Sequence, residues 1–233
     1  KIMDRNSNAY TFIFAIVTVV LVAASLAYAA TSLKPLQDEN IKNEKMQNIV
    51  STIGIDVPRS EAGESFRQYI KQELALKGDG SVDENVNAFN IDLKKETKKP
   101  SEEQRFPIYV AEKDGNTFYI VPLYGAGLWD AIWGYLALDA DKNTVIGASF
   151  DHKGETPGLG AEINQSWFED EFKGKTLFNE KGDFVSVKTV KGGAEVGDMH
   201  GVDGISGGTI TSDGVSNMIQ ERMQNYIPYL KNN

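Results

Sequence analysis

A run of twenty residues without a charged side chain, residues 11–30, constrains this chain more than any other feature. A helix rises about 1.5 Å per residue, so this run spans roughly 30 Å, the thickness of a bilayer's hydrocarbon core. Tyr10 and Tyr28 lie near its ends, where amphipathic rings favour the membrane interface. The sequence predicts a single transmembrane helix over residues 11–30, in contact with the lipid bilayer and preceded by a short segment, residues 1–10.

An alternative interpretation of this run is a cleaved signal peptide. A signal-peptide cleavage site has small residues on either side of a central position, and Ala27-Tyr28-Ala29 resembles one. The apolar run is longer than the roughly 7–15 residues of a signal sequence, and we therefore expect it to be retained.

The orientation of the span follows from its flanks. Lys1 and Arg5 precede it, and Lys34 and Lys42 follow it, so the positive-inside bias is weak. A single N-terminal span with a large domain behind it is typical of a signal anchor. We expect residues 1–10 in the cytoplasm and the C-terminal domain on the periplasmic or outer side.

Charge and cysteine content exclude several classes of protein. The chain has 24 Lys and Arg against 33 Asp and Glu, and residues 31–233 alone carry a net charge of −10. Binding to nucleic acid is excluded, because that affinity comes largely from basic residues that neutralise phosphates. The chain contains no cysteine, which excludes disulfide scaffolds and cysteine-ligated metal centres.

Hydrophobic periodicity predicts an α+β domain with an antiparallel sheet and flanking helices behind the span. Apolar spacing predicts helices over residues 33–54, 60–77 (with Ser60 as N-cap), 162–172 and 212–226 (with Thr211 or Ser212 as N-cap). Turn signals at Asp114-Gly115 and at residues 139–143 delimit hairpins. The predicted strands are residues 86–93, 106–112, 117–122, 133–138, 144–150 and 184–190. We divide the chain after the span into a connecting region, residues 31–100, and a domain, residues 101–233.

The segment 203–212 combines glycines and hydroxyl residues immediately before a predicted helix. Gly204, Gly207 and Gly208 make the backbone approachable, and the hydroxyls belong to Ser206, Thr209, Thr211 and Ser212. Unpaired amides at a helix N-terminus favour an anion such as phosphate. A capped turn without a ligand explains the same pattern.

A second segment, residues 154–160, is a tight turn around Pro157-Gly158. Gly160 permits close approach of another group, and Glu155 and Thr156 provide an acceptor and a donor that could bind a planar heterocycle. A surface turn without a ligand is the alternative.

A third segment, residues 124–130, carries Tyr124 and Trp129. Its aromatic rings either line a pocket or pack against the sheet. We favour packing against the sheet and keep Trp129 as a candidate ligand contact. The two histidines lack the spacing of a zinc site, and no nucleophile motif occurs. We therefore assign no catalytic residue and no metal ligand.

Together these segments resemble a family of membrane-anchored flavoprotein subunits of the sodium-translocating NADH:quinone reductase, whose members bind FMN covalently. Residues 203–209, Asp-Gly-Ile-Ser-Gly-Gly-Thr, are similar to the family's flavinylation motif, which usually has Ala where this chain has Gly208. Residues 154–160 resemble the segment that contacts the flavin ring. Residues 122–139 and 200–209 resemble this family more than the related flavin-carrying subunit of the Rnf-type electron transport complex.

The resemblance implies a respiratory flavoprotein subunit in a bacterial inner membrane that relays electrons through FMN on Thr209. It implies partners: the other membrane and peripheral subunits, and a flavin transferase that uses FAD as donor. The implied flavin contacts are Ser206, Gly207, Gly208, Thr209, Thr211, Ser212, Trp129, Glu155, Thr156, Gly158, Leu159 and Gly160. The alternatives are the flavin-carrying subunit of an Rnf-type complex and a membrane-anchored module that binds a phosphate ligand without redox activity.

Overall fold

The computed structural model describes residue 5 and residues 7–232. The chain divides into two compact units, residues 1–44 and residues 45–233. Helix α1 spans Asn8–Ser51 and contains Pro35 without ending there. Its apolar part has a mean hydropathy of 2.5 over eighteen residues and is not buried. By length and composition this helix can cross a membrane, as the sequence predicts.

The second unit is built on a five-stranded antiparallel sheet whose strands follow chain order. The strands are β1 (Ile70–Leu76), β2 (Phe106–Lys113), β3 (Asn116–Ala126), β4 (Ala131–Leu138) and β5 (Val145–His152). Asp114 and Gly115 both have positive φ, 53° and 80°, which matches the right-handed twist of a two-residue hairpin. The α+β class and both predicted hairpins are confirmed.

Two buried apolar layers cover the sheet, one on each face. Strand β3 divides its residues between them, with Val121 and Leu123 in one layer and Ile120 in the other. Helix α5 (Thr209–Met223) provides much of the first layer, and the end of α1 together with α2 (Ala62–Tyr69) provides the second. The predicted apolar face of the last helix is confirmed as buried: Val215, Met218, Ile219, Met223 and Tyr226.

Two predictions for residues 60–96 are wrong. The helix predicted over residues 60–77 stops at Tyr69 and continues as β1, because this stretch pairs with β2 from Leu76↔Phe106 to Ile70↔Ala111. Its N-cap is Glu61 rather than Ser60. The strand predicted over residues 86–93 is a 3₁₀-helix, Ala88–Asn90, followed by α3, Leu93–Glu96. The Asn87 and Asp92 side chains accept hydrogen bonds from the backbone there and favour helical turns.

The C-terminal third differs from prediction mainly at the boundaries of its elements. The helix predicted over residues 162–172 is a 3₁₀-helix, Gly160–Asn164, and a short α4, Ser166–Asp170. The strand predicted over residues 184–190 is reduced to β6 (Lys188–Val190), since Ser186 has a positive φ of 67°. Strand β6 pairs in parallel with β7 (Gly201–Asp203). A 3₁₀-helix, Gln224–Tyr226, and α6, Ile227–Asn232, end the fold.

Candidate functional site

The glycine-rich loop between β7 and α5 forms a compact turn. Ile205 is buried, its N–H donates to Ser212 Oγ at 3.1 Å, and its carbonyl accepts from Gly208 N at 3.0 Å. Gly207 has a φ of +77°, in the left-handed region that favours glycine. The buried Ile205 anchors the turn and leaves Ser206 and Gly207 exposed.

Helix α5 begins one turn earlier than the sequence predicts. Its N-cap is Gly208, so the prediction of Thr211 or Ser212 as N-cap is wrong. Both hydroxyl residues are instead buried in the first turn, where Ser212 Oγ accepts the Ile205 N–H. The earlier start makes Thr209 the first residue of the helix.

Thr209 is half-buried at this helix terminus. The N–H groups of Thr209, Ile210 and Thr211 have no hydrogen-bond acceptor among the described residues. Unpaired amides at a helix N-terminus carry the positive end of the helix dipole and stabilise an anion. A phosphate esterified to Thr209 would lie next to these donors.

The turn at residues 154–160 contacts the glycine-rich loop. Gly158 has a φ of +76°, and its N–H donates to Glu162 Oε1 at 3.0 Å. A Cβ on Gly207 would lie 2.6 Å from Leu159 Cδ2, and one on Gly208 3.1 Å from the Leu159 carbonyl oxygen. Gly160 and Gly207 are 47 positions apart in the chain. The structure therefore brings together two distant segments that the sequence predicts to be parts of one site.

Two cavities flank Thr209, which lines both. The smaller, about 220 Å³, is lined by Leu128, Glu155, Thr156, Leu159, Gly160, Gly207, Gly208, Ile210 and Thr211. The larger, about 390 Å³, is lined by Thr189, Lys191, Gly192, Gly193, Asp203, Gly204, Ile205, Ser206, Gly207, Ser212 and Asp213. The contribution of residues 189–193 to the second cavity was not predicted from the sequence. The Gly192-Gly193 pair was a signal for it, because two glycines after a strand leave room beside the backbone.

Glu155 is buried, with only 5% of its surface exposed. Its Oε1 accepts from Trp129 N at 3.0 Å, and its Oε2 accepts from Thr211 Oγ1 at 2.6 Å. Burial alone would raise the pKa of Glu155, but these hydrogen bonds outweigh it and lower the pKa below its usual value. The carboxylate is therefore charged at neutral pH and fully engaged within the protein.

Trp129 lies at the surface, with 69% of its surface exposed. The prediction that the aromatic residues of residues 124–130 pack in the core is wrong for this side chain. Its Nε1 donates to Thr156 Oγ1 at 3.2 Å, which holds the indole beside the smaller cavity. Leu128, Leu159 and Ile210 are also exposed here, so large apolar groups surround the mouth of this cavity.

The chain matches the model of the FMN-binding domain over residues 127–224. It is 35% identical to the NqrC subunit of the Na(+)-translocating NADH-quinone reductase of Vibrio vulnificus, in an alignment of length 204 that covers 80% of this chain and 79% of the relative. It is 31% identical to the corresponding subunit of Pseudomonas aeruginosa, in an alignment of length 239 that covers 93% and 91% of the two chains.

Solved structures show the same fold. The crystal structure of the same reductase subunit from Parabacteroides distasonis has a TM-score of 0.80 and 43% identity, over 86% of this chain and 98% of that chain. The NqrC structure from Shewanella oneidensis has a TM-score of 0.71 and 29% identity, over 82% and 99%.

The fold, the glycine-rich loop and the family match define an FMN-binding-domain protein with an N-terminal apolar helix. At these identities and coverages the chain belongs to the NqrC family, a subunit family of the Na(+)-translocating NADH-quinone reductase.

Proposed function

We propose that this chain relays electrons within a sodium-pumping NADH:quinone reductase through FMN bound by a phosphoester to Thr209. The observation that supports this attachment best is the position of Thr209. It is the first residue of α5, lines two cavities, and adjoins three amides without acceptors among the described residues.

The residues around Thr209 fit the parts of FMN. The phosphate needs positive partial charge, which the first turn of α5 provides. The isoalloxazine ring is planar and largely apolar, and the smaller cavity offers Leu128, Leu159 and Ile210 beside the indole of Trp129. Gly207 and Gly208 let Leu159 pack directly against the loop, which keeps the turn at residues 154–160 next to Thr209. When bound, FMN supplies the capacity to accept and release electrons one or two at a time.

The attachment step needs a flavin transferase and FAD. The Thr209 hydroxyl oxygen bonds to the flavin-side phosphorus of FAD, the bond from that phosphorus to the bridging oxygen breaks, AMP leaves, and the hydroxyl proton is released. Phosphoryl transfer depends mainly on positioning and charge neutralisation. This chain therefore needs only to present an accessible hydroxyl, and its half-buried Thr209 on a narrow loop does so.

Within the complex, the flavin on Thr209 would accept electrons from an iron–sulfur or iron centre and pass them to the flavin of a neighbouring subunit. NADH and quinone would bind elsewhere in the complex. Of the contact residues named from the sequence, Trp129, Thr156 and Leu159 lie nearest the proposed position of the ring, together with Ile210, which was not predicted. We also propose the division into residues 1–10, 11–30, 31–100 and 101–233, with the flavin domain outside the cytoplasm. Because the compact unit begins at Lys45, most of residues 31–100 fold with the flavin domain.

Substitution of Thr209 by Val tests the attachment. The full chain, produced together with a flavin transferase, should gain the mass of one FMN and fluoresce in a denaturing gel, and Thr209→Val should do neither. Ser206→Ala, which removes an exposed hydroxyl from the same loop, is the control and should keep the flavin. A covalent flavin on Thr209→Val, or its loss only in Ser206→Ala, would show that Thr209 is not the attachment site.

A further inference from the structure

The carboxylate of Glu155 joins three segments of the chain that meet beside Thr209. Its two oxygens accept from Trp129 N, 26 residues before it, and from Thr211 Oγ1, 56 residues after it. Its own N–H donates to His152 Nδ1 at 3.1 Å. A buried carboxylate is stable only when its oxygens are paired, and here both are paired to protein donors. These two donors come from residues on both sides of Glu155 in the chain, so the carboxylate links Trp129 and Thr211 to the turn at residues 154–160.

Two glycines make room for this carboxylate. A Cβ on Gly127 would lie 2.5 Å from Glu155 Oε1, and a Cβ on Gly160 would lie 2.2 Å from Thr211 Oγ1 and 2.7 Å from Glu155 Oε2. Neither glycine has positive φ, so the backbone does not require glycine at either position. At Gly160 the Glu155–Thr211 hydrogen bond needs the space, and at Gly127 the space is needed by the Glu155 carboxylate and by Ile132, whose Cγ2 would lie 2.9 Å from the added Cβ.

The hydrogen bond to Thr211 fixes the orientation of Thr209. The two residues are two positions apart in the first turn of α5, which places their side chains about 200° apart around the helix axis. Thr211 is buried, bonded to Glu155 and lines only the smaller of the two cavities, whereas Thr209, on the other side of the helix axis, lines both. The same carboxylate holds the backbone of Trp129, whose indole stands beside the smaller cavity.

We propose that Glu155 is a positioning residue. It locks the first turn of α5 and the Trp129 backbone to the turn at residues 154–160, so that Thr209 meets the flavin donor in one orientation. Its carboxylate acts through Thr211 and Trp129 and does not contact the flavin ring. This inference rests on the proposed attachment of FMN to Thr209, and it gives Glu155 a role different from the ring contact expected from the sequence.

Four variants of the full chain test the proposal, each incubated in detergent with flavin transferase and FAD. Thr211→Val keeps the shape of the side chain and removes only the hydroxyl bonded to Glu155. It should gain covalent flavin roughly tenfold more slowly than the unaltered chain, since a misplaced reacting group reduces rate steeply. Glu155→Ala should be slowed at least as much. Thr97→Val, whose hydroxyl bonds to Lys94 O in its own segment, is the control and should react at the unaltered rate.

Glu155→Gln separates positioning from direct contact with the flavin. The amide can accept from Trp129 N and donate to Thr211 Oγ1, because a hydroxyl can also act as acceptor. This variant should therefore react within about threefold of the unaltered rate, with an unchanged flavin absorption spectrum. A changed absorption spectrum in Glu155→Gln, a rate for this variant as slow as that of Glu155→Ala, or an unaltered rate in Thr211→Val would overturn the proposal.

Two further measurements distinguish failure of the positioning proposal from misfolding of a variant and from failure of the proposed attachment to Thr209. If Glu155→Ala does not fold, as judged by circular dichroism, Thr211→Val and Glu155→Gln still decide the outcome. If the unaltered chain gains no covalent flavin, the proposed attachment to Thr209 fails. In that case melting temperatures decide the positioning role. The melting temperature of Thr211→Val should fall and that of Glu155→Gln should not, and equal decreases would contradict the positioning role.

Discussion

Two tyrosine hydroxyls in the core differ in one respect, the presence of a hydrogen-bond partner. Tyr226 Oη donates to the Pro107 carbonyl at 3.0 Å, whereas the equally buried Tyr109 Oη has no partner among the described residues. An unpaired buried hydroxyl costs roughly 1–3 kcal/mol, and a paired one contributes about 1 kcal/mol. Removal of the two hydroxyls should therefore change stability in opposite directions.

We expect Tyr109→Phe to raise the free energy of unfolding by about 1 kcal/mol and Tyr226→Phe to lower it by about the same amount. Urea denaturation of the full chain in detergent measures both. Loss of stability in Tyr109→Phe would show that its hydroxyl has a partner, such as a buried water.

At the scale of residues, the resemblance of residues 203–209 to the flavinylation motif singled out Thr209, because a capped turn without a ligand explains glycines and hydroxyls before a helix equally well. The inward direction of Glu155 was not predictable, since its partners Trp129 and Thr211 are distant in the chain and meet it only after the sheet has formed. The exposure of Trp129 was missed for a related reason: an indole in an apolar segment fits a core equally well by composition.

At the scale of elements, Thr52, the residue directly after α1, packs closely against Gly147 of strand β5. A Cβ on Gly147 would lie 2.1 Å from the Thr52 carbonyl oxygen, a backbone atom that cannot rotate away. Overpacking of this kind typically costs 1–3 kcal/mol. We expect Gly147→Ala to lower the free energy of unfolding by about 3 kcal/mol. Gly78→Ala, whose added Cβ would meet no atom within 4 Å, should stay within about 0.5 kcal/mol. Equal stability of the two variants in denaturation experiments would contradict this packing.

Helix α4 attaches to the edge of β5 through Glu169, whose Oε1 accepts from Phe150 N at 2.7 Å. Burial raises the pKa of Glu169 to about 7, with further contributions from the Asp170 and Asp151 carboxylates. The folded pKa exceeds the unfolded value of about 4.3. The folded state therefore binds the proton more tightly, and stability falls as pH rises from about 4 towards 7.

We expect Glu169→Gln to remove this fall in stability with rising pH. The variant should be more stable than the unaltered chain at pH 8, by on the order of 2 kcal/mol, and about equally stable at pH 4. Melting temperatures measured across this pH range check the prediction. A stability difference that does not change with pH would mean that Glu169 is already ionised in the folded protein.

The sheet was predictable where its pairing is local and not where it depends on distant partners. The β2–β3 and β4–β5 hairpins carry their turn signals in the sequence. Strand β1 looks helical by its own periodicity, and its pairing with β2, 30 residues further on at Leu76↔Phe106, decides its conformation. The short 3₁₀ and helical turns at residues 88–96 depend on caps from Asn87 and Asp92, which hydrophobic periodicity does not detect.

At the scale of the whole molecule, the absence of cysteine makes the proposed orientation straightforward to test. A single cysteine can be introduced at Asn8 or at Glu180, both exposed and on opposite sides of the apolar run. A membrane-impermeant maleimide should label Glu180→Cys in intact spheroplasts and should label Asn8→Cys only after detergent is added. The reverse pattern would place the flavin domain in the cytoplasm.

The strand order of the sheet also bears on how the protein matures. Strands β1 to β5 pair only with neighbours in the chain, so the sheet can assemble from its N-terminal end as synthesis proceeds, because local pairings form faster than distant ones. The Glu155–Thr211 bond joins residues 56 positions apart, and α5 is made only after all five strands of the sheet. We therefore expect the flavin transferase to find its substrate only in completely folded chains, so that the covalent flavin would mark each molecule that has finished folding.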